Sequence, residues 1–395
     1  EAADAKQQHL LNGGGLSGIH GDELIRSIVD VTSTVCIPNT ETREVPGIFA
    51  NAGSSLRQES DSMARLTAPR RLLQTSLALL LGCSAFASQA QPADDAAAAA
   101  WPHKPVRLIA AFAPGGAVDI LARGVGEVLQ RETKQPFVVE NRTGAGGNIG
   151  ADYVAKAAAD GYTMLIGLDT SFTVNPLIYK SMPFKNGDLR PVMVFASQGM
   201  LMAVSPKTNI KTLEQFIARG KDKGLTLGSA GYGTPGHLAS SILTYATGAK
   251  VNHVPYKGNA PATLAMLSGE VDGGVISSTA MLPHVTTGKI TALAVTTAQR
   301  NPLLPEVPSV GELGHKELQQ EVLFAAWVPS STPEPLVQKI QVQFEKAMKD
   351  GTLRERMRVN DMVYEGLTGD AAVKRIQALA ERYRVLAQAT GMKME

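Results

Sequence analysis

A chain of 395 residues can hold two or three domains, and 44% hydrophobic residues are enough to bury a core in each of two, which excludes a mainly disordered protein. A formal net charge of +2 and 5% aromatic residues leave no basic patch interleaved with aromatics, so no nucleic acid is expected as a partner. Residues 1–100 hold 7 basic and 11 acidic side chains and residues 101–395 the other 31 and 25, a net of +6 that suits an anionic ligand or serves only solubility.

Taken in chain order, residues 1–62 lack helical or strand periodicity and include a glycine run at 13–15, which reads as a non-native, disordered upstream extension. From Met63 the pattern changes. Arg65, Arg70 and Arg71 precede a broken apolar run at 72–87, followed by small residues at the spacing a signal peptidase reads. A run of about 12 apolar residues is too short to span a bilayer, so 63–90 is expected to be a cleaved signal peptide and the protein periplasmic. Cys83 loosely matches a lipoprotein site, a weaker reading than plain cleavage, and with Cys36 it accounts for both cysteines. Residues 91–100 form an alanine-rich leader. The folded chain should begin near Trp101, without a disulfide.

Beyond 101, strand-like and helical runs alternate, which predicts α/β architecture with parallel sheets. The first set of strands is VRLIAAF (106–112), FVVEN (137–141), TMLIGL (163–168) and PVMVFAS (191–197), with a helix at 118–132 whose Val118, Leu121, Val125, Val128 and Leu129 share a face. After a break at Gly199 a second set follows. Its strands are GMLMAVS (199–205), LTLGSA (225–230), VNHVPY (251–256), VDGGVIS (271–277) and ITALAVTT (290–297), and its helices lie at 212–223, 237–247 and 260–267. LFAAWVPS (323–330) is again a strand, and helices at 335–350 and 369–390 close the chain. Two α/β lobes are expected, one from 101–198 and 325–395 and the other from 199–324. The chain then crosses between them twice, near 198–204 and 320–328, and two crossing strands make a hinge.

The loops carry the chemistry. In FAPGGAVD (112–119), Gly115 and Gly116 let the backbone approach a ligand at a helix N-terminus, where N–H groups and the helix dipole receive a carboxylate. Asp119, in the first turn, either stabilises that helix or orients the loop. NRTGAGGNIG (141–150) admits a nucleotide-dependent oxidoreductase as an alternative, weakened because the loop follows the second strand and lacks a suitably spaced ribose-binding acid. GLDTSFTVNP (167–176) puts Asp169, Thr170 and Ser171 at a strand's C-terminal end, as ligand groups or helix caps. GSAGYGTPGHLA (228–239) repeats the first loop in the second lobe, with Gly231, Gly233, Thr234 and, in the first helical turn, His237. Tyr256 and the Ser277-Ser278-Thr279 run could line the same cleft. The histidines show no metal-ligand spacing, and no nucleophile elbow, Walker loop or carboxylate pair appears, so no metal, no cofactor and no enzyme are expected.

Taken in order, the motifs WPHKPVRLIAAFAPGGAVDILAR (101–123), FVVENRTGAGGNIGADYVAKAAADGYTML (137–165), VNP (174–176), GSAGYGTPGHLA (228–239), VPYKGNAPA (254–262) and LPEVPSVGEL (304–313) resemble the Bug family, the extracytoplasmic solute receptors of tripartite tricarboxylate transporters. The resemblance implies a type II periplasmic-binding-protein fold closing on a small organic carboxylate, whether dicarboxylate, amino acid or aromatic acid. It also implies a monomer that delivers the ligand to integral membrane subunits of a secondary carrier. A receptor that signals instead of transporting is the alternative within the same fold. The family's ligand contacts carry over to Ala113, Gly115, Gly116, Thr170, Ser171, Gly231, Gly233 and Thr234. Relatives often have Asn where this chain has Asp169, whose extra carboxylate should then bias which acid is accepted.

Overall fold

A computed structural model describes residues 98–390. The readings of an extension at 1–62, a signal at 63–90 and most of the leader at 91–100 lie outside the described residues, as do both cysteines. Trp101 anchors the start: its Nε1–H donates to the Gly161 carbonyl at 3.1 Å and its ring meets Phe137 edge-on.

Strand β1 (Val106–Ala110) pairs in parallel with β2 (Phe137–Asn141) and β3 (Thr163–Leu168), and helix α1 (Ala117–Thr133) makes the crossover from β1 to β2. Its period-3.6 stripe of Val118, Leu121, Val125, Val128 and Leu129 is buried as expected, and the helix stops where Lys134 turns left-handed. Helix α2 (Asn148–Ala155) leads to β3, and two short helices, α3 (Thr170–Thr173) and α4 (Asn175–Ile178), follow it.

The next strand departs from the sequence reading. β4 runs unbroken over Leu189–Val204, with no interruption at Gly199. The glycine marks a close approach: a Cβ there would lie 2.4 Å from Thr297 Cγ2. Residues 189–199 of β4 pair with β9 (Glu321–Pro329), and β10 (Val363–Thr368) pairs alongside, while residues 200–204 pair with β7 (Gly273–Ser277) and β8 (Thr291–Val295). In the second lobe β7, β5 (Leu225–Ser229) and β6 (Val251–Pro255) are parallel, with helices α5 (Leu213–Asp222), α6 (Pro235–Thr247) and α7 (Asn259–Ser268) between strands and α8 (Ser278–Val285) after β7. One long strand therefore serves two sheets, and the molecule is two α/β lobes joined by crossing strands.

The expectation of parallel sheets holds for β1–β3 and for β5–β7 but not for the strands between them. β9 lies between β3 and β4 and is antiparallel to both. Since β4 leads out of the first lobe and β9 leads back in, they must run in opposite directions. Between them sits Thr296, 2% exposed, whose hydroxyl accepts from Met200 N at 2.8 Å and donates to the Gln320 carbonyl at 2.6 Å. Gln320 N in turn donates to the Thr296 carbonyl at 2.8 Å, so one threonine ties both crossings.

The C-terminal helix expected at 335–350 is α9 (Glu334–Ala347), and the chain turns into α10 (Gly351–Val359), where Asp350 accepts from Leu353 N at 2.8 Å as an N-cap. α10 and β10 have no counterpart in the sequence reading. α11 (Gly369–Thr390) closes the chain. The core of the first lobe centres on Trp327 of β9, which stacks on Phe172 at 4.6 Å, and on Phe195 of β4, which meets Phe344 of α9 at 5.1 Å.

Candidate functional site

Between the lobes lies a cavity of about 1050 Å³. Five loops line it, two from the first lobe and three from the second, each running into a helix. The N-cap residues are Gly116 for α1, Gly147 for α2, Thr234 for α6, Gly258 for α7 and Ser277 for α8, and all five line the cavity. None makes the side-chain cap bond that would satisfy first-turn N–H groups. Elsewhere α5 and α10 are capped by Thr212 and Asp350, while α3, α4 and α9 also lack a side-chain cap, so what sets the five apart is that they share one cavity. An uncapped N-terminus presents free donors and about half a positive charge. Five of them converge here. No Asp or Glu lines the cavity, while Lys257 does, with no ion-pair partner among the described residues.

The loops are held from behind. Asp119 accepts from Gly115 N and from Arg123 Nε, each at 3.0 Å, and from Asn141 Nδ2 at 2.8 Å; the same Asn141 amide donates to the Phe112 carbonyl at 3.1 Å. Burial alone would lift the Asp119 carboxyl, but Arg123, Gly115 and Asn141 together hold it below its ordinary value. It is an ionised brace outside the cavity lining. Ser171 Oγ donates to the Gly146 carbonyl at 3.0 Å, and Asn175 Nδ2 donates to the same carbonyl at 3.0 Å and to Asn148 Oδ1 at 2.8 Å. The third loop thus shapes the second one. Thr170 is fully buried and also away from the lining.

Asp169 is placed differently from its sequence reading as a residue that meets the ligand. Fully buried, it accepts from Leu323 N at 2.7 Å and from Thr173 Oγ at 2.9 Å, while its own N–H donates to the Leu323 carbonyl at 3.0 Å. Both oxygens are directed to β9 and α3, not into the cavity, because the strand end that carries Asp169 abuts the returning strand. Burial lifts its carboxyl to about 7, with the two bonds offsetting only part of that.

In the second lobe, Ala230, Gly231, Tyr232 and Thr234 line the cavity, and the Thr234 hydroxyl donates to the Gly231 carbonyl at 2.6 Å. His237 does not line it. Its ring packs on His253 at 4.6 Å between centroids and beside Tyr232, and burial with the neighbouring histidine pushes it down to about 4. A neutral imidazole cannot supply an anion-binding charge. Gly233 sits at the seam: a Cβ on it would fall 2.8 Å from Asn175 Oδ1, and one on Gly146 would fall 2.9 Å from the Gly233 carbonyl oxygen. The lobes meet there glycine to glycine. They are tied again where Gln198 Nε2 donates to Thr279 Oγ at 3.0 Å and to the Asn360 carbonyl at 2.8 Å.

The family model for the tripartite tricarboxylate transporter family receptor matches residues 121–392. The chain belongs to this receptor family. Protein BugT of Bordetella pertussis is 31% identical over 321 residues, covering 80% of this chain and 98% of that protein. Among solved structures, an R. palustris protein with adipate is 30% identical with a TM-score of 0.71, covering 74% of this chain and 99% of that one, and the periplasmic binding protein BugD is 28% identical with a TM-score of 0.69, covering 75% and 100%. Members of the receptor family are binding proteins, and this chain is one; it is not an enzyme, which disposes of the oxidoreductase alternative raised by the loop at 141–150. In the receptor that loop instead walls the cavity through residues 143–147.

Of the residues singled out from sequence, Ala113, Gly115, Gly116, Gly231 and Thr234 line the cavity, and Asp119, Asp169, Thr170, Ser171, Gly233 and His237 do not. The less emphasised Tyr256, Ser277 and Thr279 line it too. Lys257, Gly258, Gln198 and Tyr232 were missed as site residues. The signal for two of them was present, since YKGNAP carries the same glycine ahead of a helix as the first loop.

Proposed function

We propose that this receptor is a periplasmic, monomeric protein that closes its lobes, near 101–198 with 325–395 and near 199–324, on an organic carboxylate and passes it to the membrane subunits of a tripartite carrier. The observation that carries this reading is the convergence of five uncapped helix N-termini on one cavity without an acid in its lining. Such donors are strong in a closed, poorly solvated cleft and cost nothing to reorganise on binding. The adipate in the R. palustris relative fits the same chemistry. In this reading Ala113, Gly115, Gly116, Gly231 and Thr234 supply ligand contacts with Lys257, while Asp119, Ser171, Gly233 and His237 shape the loops around them and Thr170 and Asp169 belong to the buried shell behind.

The test is thermal unfolding of the protein with adipate and other carboxylic acids, with NAD as a control. Ligand at 100 times its Kd adds about 2.7 kcal/mol, which shifts the midpoint by about 3–5 °C at this chain length. Stabilisation by one or more acids and not by NAD is expected. Indifference to every acid overturns the reading.

A further inference from the structure

Resting on the carboxylate reading just given, we infer that the ligand is an acid with an apolar body and no ammonium group. The cavity, about 1050 Å³, stands at the upper end of the roughly 300–1,000 Å³ that drug-sized ligands occupy. What fills its wall beyond the amide loops is largely apolar. Phe112, Tyr179, Tyr232 and Tyr256 bring rings to it, and Leu264, 62% exposed, stands at it with no apolar cover.

Two of the tyrosine hydroxyls are committed elsewhere, Tyr256 to Glu270 Oε1 at 2.6 Å and Tyr179 to the Tyr232 carbonyl at 3.4 Å. Most hydroxyl groups in the lining already donate within the protein, chiefly to backbone carbonyls. Ser277 Oγ donates to Gln198 Oε1 at 2.7 Å, Thr279 Oγ to the Asn360 carbonyl at 2.8 Å, Thr234 Oγ to the Gly231 carbonyl at 2.6 Å and Thr263 Oγ to the Asn259 carbonyl at 2.9 Å. A ligand dense in hydroxyl groups would leave several without partners, and an unpaired buried polar group is costly.

An ammonium fares worse. It would lie among five positive helix ends and beside Lys257, with no carboxylate in the lining to receive it. Asp169, the acid that sequence alone would offer it, is engaged by Leu323 and Thr173.

Titration calorimetry on the full chain with matched pairs decides the matter: 3-phenylpropanoate against phenylalanine, adipate against 2-aminoadipate, and adipate against its tetrahydroxy analogue galactarate. The expected result is a loss of more than tenfold in affinity on adding the ammonium in each pair that binds, and a loss on adding the hydroxyls. An amino analogue within tenfold of its parent acid, or galactarate binding as well as adipate, overturns the inference while leaving the carboxylate reading intact. If no acid of any pair binds, the carboxylate reading falls and this inference with it.

Discussion

Replacing Asp169 with Asn should make the protein more stable at neutral and alkaline pH. Burial lifts this carboxyl from an ordinary 3.8 to about 7 against the pull of the Leu323 and Thr173 bonds. The charges that face it are Glu321 on β9, which raises it, and Arg375 on α11, which lowers it, with the buried Tyr383 hydroxyl close enough to feel its charge. Because the folded chain holds the proton up to about pH 7 and the unfolded chain releases it near 4, the contribution of Asp169 is fully present below pH 4. It is lost as pH rises to 7. At about 1.4 kcal/mol per pH unit, the ionised group costs the fold at most roughly 4 kcal/mol above pH 7.

Asn keeps the size and the acceptor for Leu323 N. Its amide can donate to the Thr173 hydroxyl, which has a second acceptor in the Asp169 carbonyl at 3.1 Å. Urea unfolding of both proteins from pH 4.5 to 8 is the assay, read as variant minus parent so that other titrating groups cancel. Near equality at pH 4.5, widening to an advantage of roughly 2–4 kcal/mol at pH 8, is expected. A difference that does not change with pH, or a variant less stable at pH 8, refutes the placement of this carboxyl.

Gly233→Val should put a branched side chain against Asn175 and Tyr179 at a φ of 71°, hold the lobes apart and weaken whichever carboxylate stabilises the parent protein at least tenfold, with small-angle scattering showing a larger radius in the presence of that ligand. Asp119→Ala leaves Gly115 N and Arg123 without their acceptor, and chemical denaturation should show a loss of about 1–3 kcal/mol together with weaker ligand binding. Lys257→Gln should lower the affinity for whichever carboxylate stabilises the parent protein about 5- to 20-fold at low salt and much less in 0.5 M salt, as calorimetry at two ionic strengths will show. Burial pushes the stacked His237 and His253 down, so their contribution is present above pH 6.5 and lost as pH falls toward 4; a His237→Gln, His253→Gln double variant should flatten that acid limb.

The sequence made the loops legible because a glycine or proline just ahead of a helical run is a local signal that needs no knowledge of the partner lobe. Gly116, Gly231 and Thr234 were reached that way, and Gly258 carried the same mark. Asp169 could not be read, since its partner Leu323 lies 154 residues away and only the fold brings them together. Strand β10 was missed for another reason. VYEGLT is short and half-exposed, with Val363 and Tyr364 on the surface and an irregularity in its pairing with β4, so it shows neither clean alternation nor an apolar run. The placement of β9 between β3 and β4 is likewise a matter of long-range register, to which the run LFAAWVPS bears no witness.

That placement has a bearing on how the molecule is made. A strand that enters at residues 321–329 lies between β3 and β4 in a sheet whose strands β1, β2 and β3 are complete by residue 168. Until it emerges, β3 presents a bare edge and Trp327 is missing from its stack with Phe172. A chain delivered from its N-terminus therefore cannot complete the first lobe early, while the second lobe has its β5, β6 and β7 in hand by residue 277. The half of the receptor that comes first in sequence is the half that finishes last.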